Sequence, residues 1–196
     1  MSTTLFLSFI GYAIATAITP GPNNFLTLNT SSTYGFKKTL PLLMGIMCGI
    51  VSVLTITVIM SYSLVQILPQ LTLVSKYLGS IYILWLAYHI YKTKPIQADQ
   101  ASKHPGFKQG YALQFVNVKI LLYGITSIST FVLPYYSDFF SILLFALILV
   151  LISGLCLLVW AGAGVLLQDF YRKHFKIVNT VMAIVLLESI FSLFMK

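Results

Sequence analysis

Four stretches of this chain, residues 1–36, 39–75, 120–137 and 139–168, carry no charged side chain. A helix needs about 20 mostly apolar residues to cross about 30 Å of hydrocarbon, so runs of this kind read as membrane spans. They predict an all-α integral membrane protein of six transmembrane helices, at roughly 4–29, 39–62, 69–91, 112–133, 139–164 and 177–195, with ends good to about 2 to 4 residues. Only short loops remain, so the 196 residues form a single transmembrane domain, and an enzyme would have to work inside the bilayer. No basic residue precedes the first span and no small-residue cleavage pattern follows a short apolar core, so that span reads as a retained helix and not a cleaved signal.

Charge then gives orientation. Charged residues make up only 8% of the chain against about 25% in a soluble domain, yet the balance is +8. In a soluble chain that excess would suggest a nucleic-acid partner. Here Lys37 and Lys38 lie between spans 1 and 2, Lys92, Lys94, Lys103 and Lys108 between 3 and 4, and Arg172, Lys173 and Lys176 between 5 and 6. Nine of the twelve basic residues therefore mark alternate loops, while Lys76 and Lys196 fall toward the other side. The positive-inside rule puts the basic loops in the cytoplasm and both termini outside, and it leaves no reason to invoke nucleic acid. Tyr62, Tyr135 and Tyr136 would sit at the outer interface, and Tyr88, Tyr91, Tyr111 and Tyr171 at the inner one. Six spans divide into three plus three of opposite orientation, the arrangement of inverted-repeat transporters. Gly45 with Gly49, and 161–164, offer small residues where helices can approach closely. Whether such a bundle is a homo-oligomer stays open.

The membrane rules are broken first at Thr19, Pro20, Gly21, Pro22, Asn23 and Asn24, inside span 1. Two prolines remove backbone donors and the glycine between them permits non-helical dihedrals, so the helix must stop and restart. Freed amides and carbonyls cannot face lipid; they must line protein or a watery cavity. The restarted half-helix has Pro22 in its first turn and the positive end of its dipole at Asn23 and Asn24, which makes an anion site. A kink serving packing alone needs neither the second proline nor two adjacent carboxamides at membrane depth.

A second irregularity is Asn117-Val118-Lys119 near the start of span 4. A lysine in the membrane costs about 3 kcal/mol on insertion scales, so it is paired, snorkelling or functional. Thr19 lies about 22 Å below the outer end of span 1, about 8 Å from the inner edge, and Asn117 rises about 7.5 Å from that edge. Both motifs thus reach one level and could face one cavity. On a regular helix, however, Lys119 points about 160° away from Asn117, whose face carries Gln114, Gly124 and Ser127. Either the backbone is distorted here or Lys119 snorkels to the interface.

Other polar groups are weaker candidates. Glu188, inside span 6, could carry a coupling proton or reach water from the outer leaflet. Asp138 belongs to a loop, His89, His104 and His174 to the inner interface. Cys48 and Cys156 stand singly in apolar runs without ligand spacing, which argues against a disulfide scaffold, a haem attachment or a zinc site. No cofactor is expected. A channel or exporter for another small solute or ion remains the competing reading, since a broken helix also suits an ion; clustered intramembrane acids would favour it, and only Glu188 is available.

At residues 19–24 the chain resembles the LysE/RhtB family of bacterial amino-acid exporters, whose first helix carries Thr-Pro-Gly-Pro-Asn. The likeness continues through Lys76, Gly79, Tyr82 and 83–86 in span 3. The family's Asn-Pro-Lys in helix 4 reads Asn117-Val118-Lys119 here, without the proline. The segment 112–134 is similar to the cysteine and O-acetylserine exporter subgroup, where valine also takes that site. The resemblance implies export of small neutral amino acids across the bacterial inner membrane by proton antiport, with Thr19, Pro20, Gly21, Pro22, Asn23, Asn24, Asn117 and Lys119 as substrate-binding residues. Small amino acids and the lipid bilayer are then the expected partners.

Overall fold

The structure is a computed structural model. It describes residues 1–92 and 104–194, and within these every side chain except 60–76, 78, 79, 82, 86, 89, 171, 172, 189 and 191–194. Lys94, Lys103 and Lys196 lie outside the described residues, as do the side chains of Tyr62, Lys76, Gly79, Tyr82, His89, Tyr171 and Arg172.

Among the described residues every regular element is a helix: α1 (Thr3–Ile18), α2 (Pro22–Tyr34), α3 (Phe36–Lys92), α4 (Phe107–Val116), α5 (Val118–Ser127), α6 (Phe139–Leu166) and α7 (Gln168–Phe194). A π-helical turn, Ile128–Val132, prolongs α5. Phe36–Ile59 and Phe139–Leu166 are each long and apolar enough to cross a membrane. Two bent pairs, α1 with α2 at 51° and α4 with Val118–Val132 at 61°, make up to four crossings if each pair is one span. The first bend is where the sequence puts it, at Thr19 to Gly21. The connection expected near residues 63–68 is absent, because α3 runs through it as helix. Ser63, Gln66 and Gln70 lower the hydropathy there without breaking helical geometry, and Pro69 alone bends a helix more readily than it ends one.

Caps and small residues set the outline. Ser2 caps α1 by accepting the Leu5 amide at 3.3 Å, and Asp138 caps α6 by accepting the Ser141 amide at 2.8 Å. α3 and α4 lie nearly backbone to backbone. A methyl on Gly110 would meet Leu42 O at 2.5 Å, one on Gly49 would meet Tyr111 O at 2.8 Å, and Gly45 faces the backbone of Phe107. α6 approaches α2 in the same way, with Gly164 against Leu28 O at 2.6 Å. The larger core joins α1, α3, α5 and α6 around Phe9, whose ring stands edge-on to Phe145 at 5.3 Å. A second cluster brings Phe25 of α2 against Ile83, Ala87 and Ile90 of α3 and Met182 and Leu186 of α7.

α2 is the unusual element, since its interior position belongs to polar side chains: Asn23, Asn24, Thr27, Thr30, Ser31 and Ser32 are all buried. Short hydroxyls manage this by bonding back to their own helix. Thr30 Oγ1 donates to Leu26 O at 2.7 Å and Ser31 Oγ to Leu28 O at 3.1 Å, whereas the hydroxyls of Thr27 and Thr33 are buried without a partner.

Candidate functional site

The end of α1 shows what two prolines do. Pro20 has no N–H for Thr16 O and Pro22 none for Ile18 O, so carbonyls that would be bonded in a continuous helix need other donors. Those donors are side chains from three helices. Asn24 Nδ2 donates to Ala17 O at 2.9 Å and Thr19 O at 2.8 Å. Trp160 of α6 donates Nε1–H to Ile18 O at 3.1 Å, and Lys119 of α5 donates from Nζ to Thr19 O. Asn24, expected to meet substrate, therefore also braces the break. Thr19 itself is exposed and contributes its carbonyl, while Pro20 and Pro22 act by what their nitrogens lack.

The second break falls at Asn117, which leaves the helix with φ −83° and ψ 91°. No proline is needed, because the break is held from across the bundle. Asn23 and Gln114 exchange two hydrogen bonds, Nδ2 to Oε1 at 2.8 Å and Nε2 to Oδ1 at 2.9 Å. Asn117 Nδ2 adds a third donor to Asn23 Oδ1 at 3.1 Å. The three carboxamides are almost wholly buried. The distorted-backbone alternative is thus the one the chain adopts: the 61° turn at Asn117 lets Lys119 share a cleft with it despite their opposed directions on a regular helix.

That cleft, partly open to the outside, is lined by Gly21, Asn23, Asn24, Asn117 and Lys119 from the breaks. Thr16, Ala17, Ile50, Ile120, Tyr123, Ser153 and Leu157 complete it. Both helices that restart here, α2 after Gly21 and α5 after Asn117, do so without a side-chain cap on their first amides. Their N-terminal dipole ends, each equivalent to about half a positive charge, face one space. The Lys119 ammonium is the only formal charge in the lining and no acidic side chain joins it. Asn117 Oδ1 and Ser153 Oγ are buried there without a hydrogen-bond partner. The result is a site with an anion-attracting end and an apolar wall of Ile50, Ile120, Tyr123 and Leu157. Nothing in it is arranged to break a covalent bond, and no group of three or more His, Cys, Asp or Glu among the described residues could hold a metal.

Other expected candidates lie elsewhere. Glu188 is exposed on α7 and takes no part in the cleft. His104 packs on the Tyr34 ring at 5.6 Å, and His174 sits at a kink in α7 beside Phe170. The sequence alone assigns no role to Gln114, Tyr123, Ser153 or Trp160. Gln114 shared a face with Asn117, which was the available hint; nothing local marks the others.

Residues 14–194 match the sequence pattern described as LysE type translocator. The chain belongs to the LysE family. Its members are membrane translocators and not enzymes, in accord with the all-helical bundle. It is 39% identical over 186 residues to a "Cysteine/O-acetylserine efflux protein" of Klebsiella pneumoniae subsp. pneumoniae, covering 95% of both chains. Proteins of the same name from Escherichia coli O157:H7 and Escherichia coli strain K12 are 38% and 37% identical over 188 and 187 residues. Those matches span 95% of this chain and 96% and 95% of theirs. No solved structure matches the chain.

Proposed function

We propose that this LysE translocator exports small neutral amino acids, cysteine and O-acetyl-L-serine foremost, across the bacterial inner membrane in exchange for protons. The observation that carries the reading is the convergence of two uncapped helix N-termini and Lys119 on one cleft without an acid. A substrate carboxylate fits that end, held by the amides of Asn23 and Asn24 and by Lys119. Asn117 Oδ1, unpartnered and buried, is an acceptor for the substrate ammonium, and the apolar wall suits a short side chain. The names of the similar proteins supply the substrates.

Alternating access would follow from the two bent spans moving against the rest, since both breaks meet at the site. Six spans in two inverted halves, with both termini periplasmic, belong to this proposal. The 57 residues of α3 amount to about 86 Å of helix, far more than one crossing of about 30 Å needs; two crossings by that run belong to the proposal and require it to fold back in the membrane, where the structure has one continuous helix. Glu188, exposed on α7, is the proposed carboxyl for proton coupling.

Uptake of labelled cysteine and O-acetylserine into inverted vesicles, with and without a proton gradient, tests the whole. Asn24→Ala and Asn117→Ala are expected to insert normally and lose uptake. Full uptake in both removes the site assignment, gradient-independent uptake removes the antiport, and a cytoplasmic reporter after Lys196 removes the topology.

A further inference from the structure

One buried hydroxyl on the apolar side of the cleft is in an unusual state. A serine within a helix ordinarily donates back to the carbonyl four residues earlier, which for Ser153 is Leu149 O. That carbonyl is already taken: Tyr123, 1% exposed on α5, donates its phenol O–H to Leu149 O at 3.2 Å. Ser153 is 4% exposed, lines the cleft, and its Oγ makes no hydrogen bond, although the Tyr123 hydroxyl lies beside it. Leaving a buried hydroxyl unmet costs free energy, which a ligand can recover.

We infer that Ser153 is the residue that reads the substrate's side chain, and that Tyr123 is a positioning residue that keeps the Ser153 hydroxyl free by occupying Leu149 O. The inference rests on the cleft being the amino-acid site, as proposed above, and adds to it a chemical filter. With the carboxylate at Lys119 and the half-helix amides, the side chain is directed to the wall formed by Ile50, Ile120, Tyr123 and Leu157, where the Ser153 hydroxyl is buried without a partner while that of Tyr123 is already bonded. A hydroxyl can donate to an ester oxygen and can accept from a thiol S–H. It therefore favours side chains carrying a heteroatom near the β-carbon over purely aliphatic ones of the same size. An aliphatic side chain would leave the hydroxyl buried and unpaired, so discrimination comes from that penalty as much as from the bond made.

The test compares L-cysteine and O-acetyl-L-serine with L-2-aminobutyrate, which has a methyl group where cysteine has its thiol, as competitors of labelled O-acetylserine uptake into inverted vesicles. Wild-type protein is expected to prefer the two heteroatom substrates. Ser153→Ala should reduce that preference about 3- to 10-fold through weaker binding of both, and Tyr123→Phe, which lets Ser153 bond back to Leu149 O, should reduce it in the same direction. An unchanged preference in Ser153→Ala, or equal loss for all three compounds, overturns the assignment; an unchanged preference in Tyr123→Phe removes that residue from it. Lys119→Met and Asn117→Ala separate the two claims. If they abolish binding of all three compounds while Ser153→Ala keeps its preference, only the filter is lost. If they bind all three normally, the cleft itself is not the site.

Discussion

Asn23 on α2 and Gln114 on α4 form a closed pair of carboxamides, each donating to the other at 2.8 and 2.9 Å, 91 residues apart and out of contact with water. The pair locks the first broken span to the second, and Asn117 joins it through Asn23 Oδ1. Gln114→Ala strands a buried amide on Asn23, at a cost of about 1 to 3 kcal/mol. A lower melting temperature in detergent is expected for this variant and for Asn23→Ala. The double variant should melt well above the temperature that adding the two losses gives, because each single change already breaks the same bonds. Additive losses would show that the two residues act independently.

Close helix contacts make a second, sharper prediction, because glycines in this fold divide into two kinds. Gly110 has Leu42 O and Ile46 N at 2.5 and 2.9 Å from where a methyl would sit, and both are backbone atoms that cannot rotate away. Gly110→Ala must push α4 off α3, which costs on the order of 1 to 3 kcal/mol by overpacking. It also tilts Gln114 away from Asn23. Gly162 has nothing within 4 Å, so Gly162→Ala should hold or slightly raise stability, by roughly 0.5 to 1 kcal/mol from the lower entropy of the unfolded chain. Thermal melts of the two variants side by side check this.

What could be read in advance follows from where each feature is encoded. Long uncharged runs are dictated by the hydrocarbon itself, so most of the membrane helices were legible from composition. The interruption at Pro20 and Pro22 was legible because proline removes donors by its covalent structure, whatever surrounds it. The break at Asn117 was legible only as one of two alternatives, since the family's proline is replaced by Val118 and what holds the turn comes from Asn23, 94 residues away. Trp160 reaches Ile18 O across 142 residues, and Tyr123 frees Ser153 by occupying a third residue's carbonyl. Such roles exist only in the folded arrangement. The continuity of α3 through residues 63–68 was missed for the opposite reason: polar side chains imitate a loop in a hydropathy profile without altering backbone preference.

Acid should weaken the start of α6 in a way that one substitution removes. The Ser141 amide holds the Asp138 carboxyl below its ordinary value by bonding to its charged form. With the folded value lower than the unfolded one, about 3.9, this contribution is complete above that pH and fades as pH falls through the folded value. Asp138→Asn keeps a capping oxygen that does not titrate. Protection of the Ser141 and Ile142 amides from hydrogen exchange, taken relative to the intrinsic rate at each pH, is expected to fall below about pH 4 in the wild type and to stay level in Asp138→Asn. An equal loss of protection in both would mean that another group controls this helix end.

Gly21 offers a way to move Lys119 without changing it. The glycine has φ −172° and ψ 178°, an extended conformation open to alanine, so the backbone accepts a methyl there. That methyl would lie 2.9 Å from Cδ and 3.2 Å from Nζ of Lys119, and only the flexible lysine side chain can yield. Gly21→Ala should therefore insert and fold as the wild type does while displacing the ammonium from Thr19 O and from the substrate's carboxylate end. A hydrogen bond to a charged group contributes about 1.5 to 3 kcal/mol, so its loss corresponds to roughly a tenfold or larger drop in apparent substrate affinity. Lys119→Met should show a drop of the same order, and combining it with Gly21→Ala should add little, since there is then no charge to displace. Vesicle uptake at graded O-acetylserine concentrations measures all three. Normal affinity in Gly21→Ala together with low affinity in Lys119→Met would show that the ammonium works from a different position than the one beside Thr19.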